Sequence, residues 1–93
     1  KWYGYIGYLF AGAFLANAIP HLVMGVTGQE LQTPFGNPSS AIVNALWGSA
    51  NLAAGYAIIA ALGWFGFAFN RRAAVTALGF VAMSLLLAYY FSK

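Results

Sequence analysis

The chain has 93 residues, 62% of them hydrophobic and 5% charged, with a net charge of +3 at pH 7. A soluble domain carries roughly 25% charged residues, and one this small has too much surface for its volume to hide so many apolar side chains from water. The basic residues Lys1, Arg71, Arg72 and Lys93 form no stripe, which excludes a nucleic-acid footprint. With no cysteine, the chain can hold no disulfide, zinc–thiolate site or iron–sulfur cluster of its own.

A bilayer accommodates such a composition, because lipid covers apolar side chains without requiring a protein core. The pattern predicts an all-α membrane protein: three transmembrane helices in an antiparallel up-down-up bundle, one transmembrane domain over residues 1–93. The helices are expected at about 2–26, 41–66 and 73–91, with a polar loop at 27–40. A β-barrel is excluded by the lack of period-two alternation and by the small number of segments.

The first segment begins at Trp2 and has Asn17 and His21 as its only clearly polar members. Helical residues rise 1.5 Å each, so about 25 of them span roughly 37 Å, enough for a hydrocarbon core of about 30 Å with tilt. The segment is too long for the apolar region of a signal peptide and has no polar leader beyond Lys1. Pro20 removes a backbone donor and crowds the Ala16 carbonyl, which predicts a kink. Gly25 and Gly28 around Thr27 predict the stop.

Residues 27–40, TGQELQTPFGNPSS, carry the turn signals of a loop. Phe35 is its lone aromatic, expected to dip back toward the membrane, and Ser39 or Ser40 supplies an N-cap for the next helix. The second apolar segment starts at Ala41, and Trp64, Phe65, Phe67 and Phe69 beyond it read as an interfacial aromatic belt. Asn70, Arg71 and Arg72 interrupt the apolar run before a third segment that closes at Tyr89 and Tyr90.

Three crossings put Lys1 and the Arg71–Arg72 turn on one side, and loop 27–40 and the C-terminus on the other. The positive-inside rule then makes the former cytoplasmic and the latter periplasmic, opposed only by Lys93. Gly4 with Gly7, Gly12 with Ala16, Ala50 with Ala54 and Ala73 with Ala77 offer small-residue ridges for close helix packing.

The polar residues gather on two faces. Asn17 and His21 are four apart on the first helix, and Asn44 and Asn51 are seven apart on the second, alongside Trp47 and Gly48. In antiparallel helices these four lie at similar depth, beneath the loop that carries Glu30, the only acidic residue. A polar group facing lipid lacks a hydrogen-bond partner, so the two faces are expected to meet. Two readings follow. The cluster is structural glue between helices, the commoner role of intramembrane asparagine, or His21 is a ligand or proton carrier at a functional site.

No catalytic constellation accompanies Glu30 and His21: there is no nucleophile elbow, phosphate loop or paired carboxylate. No metal site or cofactor is expected, since His21 with Met24 supplies too few ligands for copper. Haem or pigment would have to come with partner subunits. Arg71 and Arg72 suffice for orientation and a weak attraction to anionic lipid.

The strings Pro20-His21-Leu22-Val23-Met24-Gly25, Thr33-Pro34-Phe35-Gly36 and Asn44-Ala45-Leu46-Trp47-Gly48 resemble small bacterial integral membrane proteins of uncharacterised function, over residues 17–55. The resemblance implies a bacterial inner membrane and brings no activity with it. Size and small-residue faces make an accessory or structural subunit of a larger membrane complex the first functional expectation, with other membrane subunits and lipid as partners. The alternatives are a small homo-oligomeric transporter, channel or ligand-binding protein using His21, and a cofactor-holding redox subunit built on His21.

Overall fold

The computed structural model describes residues 2–63 and 70–92. The expected belt at Trp64, Phe65, Phe67 and Phe69, the last residues of the expected second helix, and Lys1 and Lys93 lie outside the described residues. Three helices make up most of the rest: α1 (Gly4–Val26), α2 (Ala41–Leu62) and α3 (Arg71–Phe91). All three are long and apolar enough to cross a membrane. At 1.5 Å per residue, α1 is about 34 Å long against a hydrocarbon core of about 30 Å. By length and composition the chain is built as an integral membrane protein, and large apolar side chains such as Phe10, Ile42 and Leu85 stand exposed where lipid would cover them.

The helix ends follow local chemistry. At α2, Ser40 is extended and its hydroxyl accepts from the Val43 N–H, the expected cap. Gly63 closes the same helix in the left-handed region at φ 80°, a conformation glycine adopts without steric cost. At α3, the Asn70 side chain accepts from the Ala73 N–H, so the helix begins at Arg71, two residues before the expected start. Arg71 and Arg72 therefore form its first turn rather than an interhelical turn. At α1, Pro20 lies inside a helix that continues to Val26, and Thr27 caps it by donating its hydroxyl to the Val23 carbonyl at 2.6 Å. Gly28 takes φ 73° after the helix, as a stop residue would. Gly25 stays helical and serves instead as a contact point.

Helix α1 is central and packs against both α2 and α3, which barely touch one another among the described residues. On its α2 side the contacts fall every seven residues along α1, at Ala11, Ala18 and Gly25, and meet Gly55, Gly48 and Ala45 in descending order along α2. A Cβ on Gly55 would lie 3.0 Å from the Ala11 carbonyl, one on Gly48 3.1 Å from the Ala18 carbonyl, and one on Gly25 2.5 Å from the Ala45 nitrogen. On its α3 side a Cβ on Gly79 would collide with the Leu9 carbonyl oxygen, and one on Gly12 with that of Thr76. These glycines let backbone approach backbone, the means by which helices associate without a hydrophobic driving force. Of the expected ridges, Gly12 with Ala16 faces inward; Ala50 and Ala77 are exposed and Gly4 has open space beside it. The seams on α2 and α3 are made by Gly48, Gly55 and Gly79.

The stretch 27–40 is more ordered than a loop. It folds into an antiparallel hairpin of β1 (Leu31–Thr33) and β2 (Gly36–Ser39), with an irregular register and a cis Asn37–Pro38 peptide. A directed chain of bonds closes its turn. The Phe35 N–H donates to Thr33 Oγ1, the Thr33 hydroxyl to Ser39 Oγ at 2.6 Å, and the Ser39 hydroxyl to the Gly36 carbonyl. Phe35 at the tip meets the ring of Trp47 edge to face, with centroids 5.4 Å apart, and this is how it folds back.

Candidate functional site

The four helical polar residues expected to converge do so, in two pairs between α1 and α2. Asn17 Nδ2 donates to Asn51 Oδ1 at 3.0 Å. One turn further toward the hairpin, His21 Nδ1 lies 2.8 Å from Asn44 Oδ1. His21 is 3% exposed and Asn44 0%. Each side chain sits beside a close-packed glycine, since Asn44, Gly48, Asn51 and Gly55 share one face of α2.

Hydrogen-bond direction follows from the carbonyls around the two α2 asparagines. Asn44 Nδ2 is surrounded by the carbonyls of Leu31, Ser39 and Ser40 at 2.9, 3.1 and 3.0 Å. Carbonyls only accept, so the amide nitrogen must face them and Oδ1 must face His21. His21 Nδ1 is thereby obliged to donate, which leaves Nε2 of the neutral ring with a bare lone pair. The same logic holds a level below. Asn51 Nδ2 donates to the Trp47 carbonyl at 2.8 Å, so Asn51 Oδ1 accepts from Asn17 and the Asn17 oxygen remains an acceptor.

His21 Nε2 has no hydrogen-bond partner among the described residues, yet no buried nitrogen is left without one. The atom is therefore reached from the open groove that His21 lines, about 330 Å³ in volume. The groove is bounded by Asn17 and His21 of α1, Gln32 and Pro34 of the hairpin, Trp47 of α2, and Leu87, Tyr90 and Phe91 of α3. The Tyr90 hydroxyl donates to Gln32 Oε1 at 2.6 Å and joins the end of α3 to the hairpin across one side of it. All three helices and the hairpin thus converge on one histidine.

Glu30 is exposed and lines a neighbouring cavity with Gln32 and Tyr90, not the His21 groove. Met24 is not part of the groove lining either, so the His21–Met24 pair is not assembled there. No group of three His, Asp or Glu side chains that could hold a metal ion occurs among the described residues. Gln32, Thr33, Pro34, Trp47, Leu87, Tyr90 and Phe91 are the lining residues that sequence reasoning did not assign to the site. Only Trp47 had a signal, sharing a face with Asn44 and Asn51. No family model, curated protein or solved structure matches the chain.

Proposed function

We propose that the chain crosses the bilayer three times, up-down-up, as a small membrane protein that binds a ligand at His21. The observation that supports this reading most is the state of the His21 ring. Asn44 occupies one nitrogen and fixes the tautomer, and the second nitrogen opens on a groove although the residue is 3% exposed. A histidine that only tied helices together would need no such open atom. Intramembrane ionisable residues are costly and mark binding or transfer sites by default.

The accessory-subunit expectation stands behind this one. The outward faces of α2 and α3 are apolar, and lipid covers such faces as readily as a partner subunit does. Arg71 and Arg72 at the start of α3 support a cytoplasmic position for that end under the positive-inside rule. The groove then faces the periplasm, if the membrane is the bacterial inner membrane that the resemblance of residues 17–55 implies.

The experiment is retention. Wild type and His21→Gln are extracted from the native membrane into polymer-bounded lipid discs, and their small molecules are compared by mass spectrometry. The reading predicts one molecule close to stoichiometric with wild type and depleted in the equally well-folded variant. Identical small-molecule profiles would overturn it.

A further inference from the structure

Building on the ligand-binding reading, we infer that the groove takes a ring-borne hydroxyl: a phenol or quinol headgroup whose O–H donates to His21 Nε2. The polar atom that His21 offers to the groove is an acceptor. Nδ1 is held as a donor by Asn44, whose amide cannot turn without placing its oxygen against three carbonyls. A ring protonated on Nδ1 alone presents a lone pair to the groove and takes a donor from whatever enters. Asn17 Oδ1 makes the same demand one turn away.

Other polar atoms of the lining do not reverse this choice. The Thr33 hydroxyl is already spent on Ser39. The Gln32 amide nitrogen and the Trp47 indole N–H are donors, and they serve a hydroxyl oxygen, an ether or a carbonyl alike. They contribute affinity without selecting between these groups. Among the described residues no lysine or arginine lines the groove, so none of them pairs with an anionic headgroup there.

Shape selects the ring. Trp47, Tyr90 and Phe91 supply aromatic surface, with Leu87 and Pro34 filling between, in a space of about 330 Å³. Flat apolar rings pack on such walls edge to face or offset. Ligand sites of this kind combine an apolar lining with a few placed polar groups. The lining fits a planar neutral head with a hydroxyl at its edge.

The test keeps the protein unchanged and varies the ligand. His21 is the only histidine in the chain, so its two ring nitrogens give the only imidazole ¹⁵N signals. Labelled wild type in synthetic phosphatidylcholine discs is titrated with a decyl-benzoquinol kept reduced, its quinone, its dimethyl ether, and 4-nonylphenol. The quinol is expected to move the Nε2 resonance while leaving Nδ1 in place. It should bind about tenfold tighter than the ether or the quinone, the ratio that 1.4 kcal/mol for one lost hydrogen bond gives. Nonylphenol equal to the quinol supports the class with free phenols as its source. A tighter quinol supports it with quinol headgroups as the source and both acceptors in use.

Equal binding of ether and quinol overturns the assignment. So does failure of every probe when wild type still retains from native membranes a molecule without a ring hydroxyl that His21→Gln loses. That outcome leaves the ligand-binding reading standing. Failure of every probe with no retained molecule removes both.

Discussion

Replacing Asn44 by Leu tests the hub of the site. The two side chains are similar in size, so the cavity contribution is small and the loss is one of hydrogen bonds. Asn44 is 0% exposed, and its amide serves the carbonyls of Leu31, Ser39 and Ser40 and the His21 ring. The Ser40 carbonyl keeps the backbone N–H of residue 44 at 3.0 Å. The carbonyls of Leu31 and Ser39, one on each strand of the hairpin, lose a donor, and the His21 Nδ1 proton loses its acceptor.

A buried polar group left unpaired costs about 1–3 kcal/mol. Bonds between membrane helices average only about 0.6 kcal/mol, because the separated helices find other partners. The His21 share is therefore the smaller one and hairpin docking the larger. The sum is about 2 kcal/mol, read by denaturant titration in bicelles. Hairpin amides should exchange with deuterium about 30-fold faster, the ratio for 2 kcal/mol, and the His21 ring should no longer be locked with its proton on Nδ1. A loss under about 0.5 kcal/mol with unchanged hairpin exchange would refute the claim that Asn44 joins hairpin, α2 and His21.

Three further substitutions probe the frame around the site. Gly79→Ala sets a methyl against the Leu9 carbonyl and should loosen α3 from α1 by about 1–3 kcal/mol, whereas Gly4→Ala meets open space and should change little; cysteine cross-linking between α1 and α3 distinguishes the two. Ser40→Ala removes the hydroxyl that accepts from the Val43 N–H and should cost about 0.5–2 kcal/mol, with Ser40→Gly costing only a few tenths. Tyr90→Phe deletes the bond to Gln32 Oε1 while keeping the aromatic wall, so hairpin exchange should rise a few-fold for a loss of about 1 kcal/mol, with the His21 ring signals in place.

The helices were legible because a bilayer crossing needs a long apolar run, and length alone separates such runs from other elements. The polar faces were legible too. The spacings Asn17–His21 and Asn44–Asn51 put each pair on one side of a helix, and the penalty for polar groups in lipid drives the two sides together. The start of α3 was missed by two residues although its signal was present. Asn70 is a good cap, but the charges of Arg71 and Arg72 read as a turn, whereas a helix end at the membrane surface tolerates them.

The hairpin left no such trace. Its strands are three and four residues long, one contains Pro38, and its order comes from bonds to Asn44 and within the Thr33–Ser39 chain rather than from period-two hydrophobicity. Pairs of small residues marked close packing but could not say which face meets a neighbour, so Gly48, Gly55 and Gly79 were passed over for the exposed Ala50 and Ala77. Tyr90 reaches Gln32 across 58 residues, a contact that only the packing of α3 beside α1 creates. Glu30 was grouped with His21 by proximity in sequence, and the hairpin carries it to the neighbouring cavity.

The most direct test of the central claim is the ¹⁵N spectrum of the single histidine, recorded in native-membrane discs and again after delipidation into synthetic phosphatidylcholine. The account predicts a protonated Nδ1 in both and an Nε2 resonance that shifts when the native membrane is removed. A ring protonated on Nε2 with a bare Nδ1, or an Nε2 signal identical in the two preparations, would contradict it.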